Sequence, residues 1–465
     1  MTLPWDTLPV QRNPLRASVP CASDLYASTR RSTHPPSNAD SSDARIHPVL
    51  VIGGGLAGGW ICRKLAEQGI EVLLVDKGDI ACAASGNPAG IAKPFVTRAP
   101  SHAMSFYRDA YARLLANLHK LNTGTTSSTP YRLHESAGQP ILNTCGVLQL
   151  VHRGYPASAD YASLNASQAN ELGNATLGCP ALHFDQGGWL DPRTLCQKLI
   201  GHALVQVRTN TEVTHLSQCV DEAGQMMWKL ALNDRETYAR RIVFACGTAI
   251  GQFSQTRALT VTPARGQISR FAVRDPGAMP NCVISGKHYV IPDGDSILVG
   301  ATFDRGNTDT SERDEDHQRN LKGLAATLPQ LQVKPAPLAG YAGVRATTPD
   351  RLPLAGPLPD MDKVAADYDG LRSGKTLDHY SDLPCLEGLY VLGGLGSRGI
   401  VTAPIIAEML VDLMMGRASN WTAWAPLINP ARFLIRDLKR GKSPQLKGSS
   451  TEQDTHHHDH HYFST

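Results

Sequence analysis

Val49-Leu50-Val51-Ile52-Gly53-Gly54-Gly55-Leu56-Ala57-Gly58 is the stretch whose reading decides the fold. His47–Ile52 reads as a short buried strand, apolar and β-branched up to the glycines. The glycines follow it at once in the spacing G-x-G-x-x-G. Gly53 permits the tight turn, Gly55 lets the backbone approach a diphosphate, and Gly58 lets helix and sheet pack closely. The helix that follows turns its free N–H groups toward the phosphate charge.

Outward from that turn, residues 57–68 read as a helix, with Ile61, Leu65 and Gln68 spaced by turns, stopped by Gly69. Glu71–Val75 is a second apolar strand ending at Asp76, beside Lys77. Strand, glycine turn, helix and strand make the βαβ unit of a parallel sheet. Asp76 follows Gly53 by 23 residues, where a carboxylate can accept a ribose hydroxyl. The motif alone is weak, but strand before, helix after and acid at this distance agree. Two features favour FAD over NAD. The fingerprint opens the ordered chain, and a second glycine-rich turn, Gly393–Gly399, precedes another helix about 340 residues later.

The 465 residues are 42% hydrophobic and 19% charged, an ordinary balance for a globular chain with core for two to three domains. A net charge of +3 is too small for a protein that binds nucleic acid over its whole surface. Ten cysteines without a C-x-x-C pair argue against zinc ribbons and disulfide scaffolds and fit a reducing compartment. No apolar run approaches the ~20 residues that span a bilayer. Residues 1–46 read as a disordered N-terminal extension, rich in Ser, Pro and Arg. A transit peptide suits Arg12, Arg16, Arg30 and Arg31 but not Asp6, Asp24, Asp40 and Asp43.

Further along, residues 102–120 read as a helix, Asn122–Pro130 as a polar loop, 145–151 as a strand and Leu195–Val205 as a helix. Arg241–Ala245 is a buried strand ending at Gly247. Residues 261–304 hold short strands, including Tyr289–Pro292 and Ile297–Thr302, in an antiparallel pattern. Gly388–Leu392 is a strand leading into the second glycine turn, with a helix at 403–415.

The glycine fingerprint, Asp76, Ala245-Cys246-Gly247, Gly300-Ala301-Thr302 and Gly-Leu-Gly-Ser-Arg-Gly at 394–399 resemble the D-amino acid oxidase-like FAD enzymes, which include glycine oxidase and sarcosine oxidase. Four segments narrow the resemblance: Ala84–Gly90, Arg265-Gly266-Gln267, Gly343–Pro357, and Gly394–Pro404 followed by Asn429–Phe433. Together they are similar to the FAD-dependent oxidoreductase domain of the bifunctional tRNA 5-methylaminomethyl-2-thiouridine biosynthesis proteins (MnmC), over about 47–442. The methyltransferase domain that precedes it there is not expected in 46 polar residues, so a separate methyltransferase would act on the product.

The resemblance implies an α/β fold: a Rossmann-like FAD-binding domain of the D-amino acid oxidase/glutathione reductase type with a β-rich substrate-binding subdomain. The expected division gives 47–133, 187–260 and 340–442 to FAD and 134–186 and 261–339 to substrate, with 443–465 a polar tail. It implies FAD, a tRNA partner with a modified wobble uridine, no membrane, and a cytoplasmic location. The implied reaction takes a hydride from the N-substituted glycine of 5-carboxymethylaminomethyl-(2-thio)uridine to flavin. Imine hydrolysis then yields glyoxylate and 5-aminomethyl-(2-thio)uridine. The alternative is an oxidase of a free amino acid or secondary amine such as glycine or sarcosine.

A glycine-like carboxylate calls for a fixed cation, and the planar fork of arginine binds both of its oxygens. Arg345 stands where relatives carry such an arginine; Arg398, beside the flavin-binding glycines, is the second candidate, and Tyr289 resembles a pocket tyrosine. A structural salt bridge or core packing is the plain alternative for each. The resemblance places Gly53, Gly55, Leu56, Ala57, Gly58, Asp76, Lys77, Ser85, Gly86, Asn87, Ala245, Gly247, Gly394, Gly396, Ser397, Arg398, Gly399 and Ile400 around the flavin, and Val213 at the adenine. Arg265 reads as structural or near the flavin rather than catalytic, Cys246 as a small buried residue, and no catalytic histidine is assigned.

Residues 430–447 carry Arg432, Arg436, Lys439, Arg440, Lys442 and Lys447 against Asp437, a strip that could track phosphates or simply face solvent. No functional metal is expected; the histidines at 456–461 lie in a polar tail.

Overall fold

The computed structural model describes residues 45–99, 101–123, 140–233, 235–380, 382–417 and 423–442. Nearly all of the N-terminal extension (1–44), most of the loop read after Asn122, Lys447 and the histidine tail lie outside these residues.

The apolar strand before the glycines, Ile46–Ile52, sits at the centre of an eight-stranded sheet. It pairs in parallel with Val72–Val75 on one side and Arg235–Phe244 on the other. The order continues outward to Val205–Arg208 at one edge and through Cys385–Gly393 to Leu354–Pro359 at the other. Both faces are covered, which is why the strand is continuously apolar. Val49, Val51, Val72 and Leu74 pack under the helices Leu56–Ala66, His102–Thr123, Pro192–Ile200 and Gly399–Met414. Their neighbours Leu50, Ile52, Leu73 and Val75 pack on the other face with Leu216, Trp228 and Phe433.

A second sheet of nine strands runs from Asp304–Arg305 through Thr262–Ala272, Ser296–Gly300, Tyr289–Asp293, Val283–Ser285, Val147–Leu150 and Ala181–Phe184 to Ala162–Leu164. Ala339–Thr347 joins it beside Thr262–Ala272. The pairs are antiparallel except Val283–Ser285 with Val147–Leu150. Alternation along Thr262–Ala272 sorts its residues. Arg265, Gln267 and Ser269 face the helix Asp314–Thr327, whereas Ile268 faces the first sheet's side with Tyr289 and Tyr341.

Arg265, fully buried, bonds Asp316, Gln267 Oε1 (2.8 Å) and the Ser311 carbonyl (2.7 Å). It is therefore a structural anchor, as its sequence context suggests.

Three elements differ from expectation. The helix read over Leu195–Val205 is Pro192–Ile200, capped by Asp191 accepting the Arg193 N–H at 2.9 Å. Asp-Pro opens it and Gly201 closes it, so Val205 starts an edge strand. The helix expected at 403–415 begins at Gly399 and carries Pro404 inside, because Ala403, Ile405 and Ile406 are wholly buried and packing outweighs the lost donor. The helix Asp314–Thr327 was not expected; its short apolar stripe, with only Leu324 and Leu328 fully covered, gives little periodic signal.

Replacing Asp316 with Asn leaves the buried Arg265 charge with only the more distant Asp304, at 4.0 Å, as counter-ion. We expect a loss of about 3 kcal/mol in urea unfolding of the purified protein. A change under about 0.5 kcal/mol would contradict the pairing.

Candidate functional site

Gly53 has φ +109°, donates to the Val75 carbonyl at 2.8 Å, and lies so close to Ala245 that a Cβ would stand 2.6 Å from its carbonyl oxygen. A Cβ at Gly58 would stand 1.8 Å from the Gly53 carbonyl oxygen. These two positions let the helix Leu56–Ala66 start directly against the strand ends. Its first intrahelical bond is Gly59 N–H to the Gly55 carbonyl (2.8 Å), and its first turn holds no acid. The amides of Leu56, Ala57 and Gly58 thus form its donor end, with Leu56 donating to Ser85 Oγ at 3.0 Å.

Asp76 braces this turn. One carboxylate oxygen accepts the Gly54 N–H (2.5 Å), the other the Gly78 N–H (2.9 Å). Each oxygen keeps a second lone pair. Lys77 beside it is exposed. Residues 210 and 211 run alongside, donating to the Gly78 and Asp76 carbonyls, and lead into Val213, whose side chain is buried in the core. Gly247, with φ +57°, follows the Ala245 strand end and faces open space. Burial pushes the Cys246 thiol up to about 12, so no thiolate forms there.

Ala84–Gly86 is a single 3-10 turn that carries Ser85 to the helix end. Tyr341 OH caps the preceding chain by donating to the carbonyls of Cys82 and Ala83. Asn87 donates to the Ala89 carbonyl (2.7 Å), and its Oδ1 is buried without a hydrogen-bond partner.

The second glycine turn arrives from the opposite side. Gly394 and Gly396 have φ +63° and +55°. Gly396 donates to the Ala346 carbonyl at 2.8 Å, which ties the turn to the strand bearing Arg345. Ser397 is exposed, Gly399 begins the sixteen-residue helix Gly399–Met414, and Ile400 Cδ1 fills the space left by Gly90. The Arg398 guanidinium stacks over Phe95 (4.0 Å) and Tyr107 (5.0 Å).

The second sheet supplies the facing wall. Register places Gln149, Ser285, Tyr289 and Gly300 on one rung, so Gln149 and Tyr289 share a face. Tyr341, Gly343 and Arg345 alternate onto that face from the strand Ala339–Thr347, beyond Thr262–Ala272. The Arg345 guanidinium lies over Gly266, where a Cβ would stand 2.6 Å from Nη2. Phe303 lies 5.8 Å from it. No carboxylate among the described residues pairs with Arg345 or Arg398. Burial draws the Arg345 pKa below its usual value, with Tyr289 opposing. Burial raises that of Tyr289, with Arg345 opposing, so the phenol stays protonated.

Gln149 and Tyr341 also belong to this wall, Lys93 reaches it, and Phe95 and Tyr107 stack with Arg398; none of the five was singled out as a site residue from sequence. Lys93 donates to Gln149 Oε1 (2.5 Å) and to the Pro94 carbonyl (3.3 Å), above the Phe184 ring. Its only sequence signal is its place just after Gly90-Ile91-Ala92, downstream of Asn87.

The structure therefore ties Asp76 and Ser85 to the first glycine turn, the second glycine turn to the strand bearing Arg345, and Tyr289 to both Arg345 and Asn87. The C-terminal basic strip is weaker than its composition implies. Arg432 is buried and grips Asp350 with two bonds (2.8 and 2.9 Å), while Arg436 lies beside Asp437 and over Phe433. Among the described residues no acidic, histidine or cysteine cluster could hold a metal.

The donor set fits a dinucleotide flavin. Two helix N-termini lack acids in their first turns, the glycine turn excludes any Cβ, and a buried amide oxygen awaits a partner. The comparisons agree. The family of FAD dependent oxidoreductases called DAO matches residues 48–413. The bifunctional tRNA 5-methylaminomethyl-2-thiouridine biosynthesis protein MnmC of Chromobacterium violaceum is 32% identical over 425 residues, covering 86% of this chain and 61% of that protein. The protein of the same name from Methylobacillus flagellatus is 35% identical over 401 residues, covering 85% and 60%. The chain thus spans about three fifths of these curated relatives. Among solved structures, glycine oxidase from Geobacillus kaustophilus superposes with TM-score 0.64 at 20% identity, over 83% of this chain and 98% of that one. L-Proline dehydrogenase from P. horikoshii gives 0.62 at 16%, over 86% and 99%. At such identities these two show the fold.

Gly55→Val, whose Cβ meets the Ser85 side chain rather than backbone, should yield folded protein without bound flavin, read as loss of visible absorbance at unchanged circular dichroism. Full flavin content would refute the placement of the cofactor over this turn.

Proposed function

The chain belongs to the DAO family of FAD dependent oxidoreductases, and on that premise we propose that it oxidises the N-substituted glycine of 5-carboxymethylaminomethyl-(2-thio)uridine at the tRNA wobble position. The products are glyoxylate and 5-aminomethyl-(2-thio)uridine.

The observation that carries this reading is Arg345: a densely surrounded guanidinium with no carboxylate partner among the described residues, beside the Tyr289 hydroxyl. An enclosed cation that lacks a protein counter-ion is costly and is stabilised when an anion arrives. The fork of Arg345 takes both oxygens of the glycine carboxylate, and the protonated phenol of Tyr289 donates alongside it. This fixes the CH2 carbon between carboxylate and nitrogen. Bound FAD, held by the amides at 53–58 and 394–399, supplies the hydride acceptor. Arg398, pinned on two aromatic faces, adds a second fixed positive charge to the cleft.

The secondary amine must be neutral to release a hydride, and the resulting imine adds water and parts into aminomethyl-uridine and glyoxylate. Reaching the wobble base requires that it leave its stack. The tRNA part of the proposal is supported by the relatives at 32% and 35% identity, whose names state tRNA 5-methylaminomethyl-2-thiouridine biosynthesis. Methyl transfer forms no part of it. We also propose the two-subdomain division at 47–133, 187–260 and 340–442 against 134–186 and 261–339. The strand Ala339–Thr347 is shared, because it pairs with the second sheet while its Ala346 holds the second glycine turn.

The test incubates the holoenzyme with tRNA bearing the carboxymethylaminomethyl group and identifies the nucleosides by mass spectrometry. Conversion to the aminomethyl nucleoside with release of glyoxylate is expected. Unchanged tRNA with rapid peroxide from free glycine or sarcosine would replace this reading with a free-amine oxidase. Arg345→Met should keep its flavin and lose about 100-fold in conversion rate, the worth of a charge-assisted pair of bonds. Arg345→Lys should recover only part, since an ammonium lacks the fork.

A further inference from the structure

The cleft holds one more group that this chemistry has not used. Lys93 extends from the segment after Gly90–Ala92 across to the second sheet. Gln149, which fixes its amine, lies on the same rung and face as Tyr289, two strands away. Strands spaced about 4.8 Å apart put the two side chains roughly 10 Å from each other, the length of a small substrate.

The surroundings of Lys93 are those of an amine kept ready to be neutral. Its hydrogen-bond acceptors are a side-chain amide and a backbone carbonyl, and Phe184 lies beneath it at 4.9 Å. The charge that faces it is the guanidinium of Arg398, which itself lies over Phe95 and Tyr107. Tyr289 and Arg345 share its sheet face, and Tyr161 packs on the far side of Phe184. His183, on the same strand as Phe184, turns to the opposite face with Leu148. No carboxylate among the described residues is within ion-pair distance. Lys64, another enclosed lysine, shows the contrast: it pairs with Glu67 and Glu408, both at 3.1 Å.

We propose that the Lys93 amine is the proton acceptor of the substrate site, taking a proton from the secondary ammonium of the bound glycine-like group. The N–H bond of the substrate breaks, the pair it leaves becomes the nitrogen lone pair, and the lysine becomes an ammonium. No electrons change hands in this step. The freed lone pair is what hydride loss from the adjacent carbon requires. The inference rests on the substrate reading above.

Desolvation, with Arg398 adding to it, draws Lys93 down to about 7. The sign follows: the amine is a base above that pH and is already protonated, hence idle, below it. A general base of this kind contributes about 100-fold or more.

Two measurements test it. The first labels lysines of the wild-type holoenzyme with a brief pulse of acetic anhydride across a pH series and follows the Lys93 peptide by mass spectrometry. Half-maximal labelling near pH 7 supports the proposal; a midpoint near the ordinary lysine value of about 10.4 overturns it. This arm needs no variant and no turnover.

The second follows anaerobic bleaching of the flavin by tRNA bearing the carboxymethylaminomethyl group. The wild-type rate should rise through an inflection near pH 7. Lys93→Met should be about 100-fold slower at neutral pH and approach the wild type only at alkaline pH, where the substrate amine deprotonates unaided. Lys93→Arg should behave like Lys93→Met, because a guanidinium does not give up its proton. Wild-type flavin that tRNA does not bleach overturns the substrate reading and this step together. Bleaching whose pH profile is the same in Lys93→Met overturns this step alone.

Discussion

The whole arrangement depends on a helix starting in contact with the ends of two parallel strands. That contact exists only where no side chain intervenes, at Gly53 against Ala245 and at Gly58 against Gly53. Because the approach is backbone to backbone, the helix Leu56–Ala66 aims its first amides over the carboxyl edge of the sheet. Asp76 then spends both carboxylate oxygens on the amides of Gly54 and Gly78, so the turn is held in shape by the residue that also borders its ligand space. Ser85 does the same from the other side through Leu56. The cofactor cradle is thus stiffened by its own borders, as preorganised binding requires.

Charge distribution gives the cleft its chemistry. Three buried cations elsewhere have acids: Arg265 has Asp316, Arg432 has Asp350 and Lys64 has Glu67 and Glu408. Around the cleft the pattern stops. Arg345, Arg398 and Lys93 are held by aromatic rings, a glycine backbone, an amide oxygen and a carbonyl. Cations left without protein counter-ions in a partly dry site favour an incoming anion, and burial together with the Arg398 charge holds the basicity of Lys93 down. One of the three is a lysine, the type whose ionisation responds most readily to such surroundings.

Much of the fold was legible in the chain itself. The parallel βαβ unit followed from the glycine spacing and from apolar runs too continuous for a half-exposed sheet. The antiparallel second sheet followed from short strands with turn residues between them. Less legible were element ends governed by packing, such as the start at Gly399 despite Pro404, and the polar helix Asp314–Thr327. The C-terminal basic strip shows the limit of counting charge. In sequence Arg432 and Arg440 look alike, yet Arg432 is buried against Asp350 from a segment some eighty residues earlier.

Local sequence alone determined the glycine turn and its acidic brace, because each depends on residues near one another in the chain and on backbone sterics, while the cofactor class rested on a second glycine turn far along the same chain. Only the tertiary structure decided which polar groups share a cleft. Arg345, Tyr289 and Lys93 come from three segments, and their meeting depends on strand register and on side-chain alternation across a nine-stranded sheet. A one-residue slip in any of those strands would turn its side chain to the opposite face, and no linear spacing records that choice.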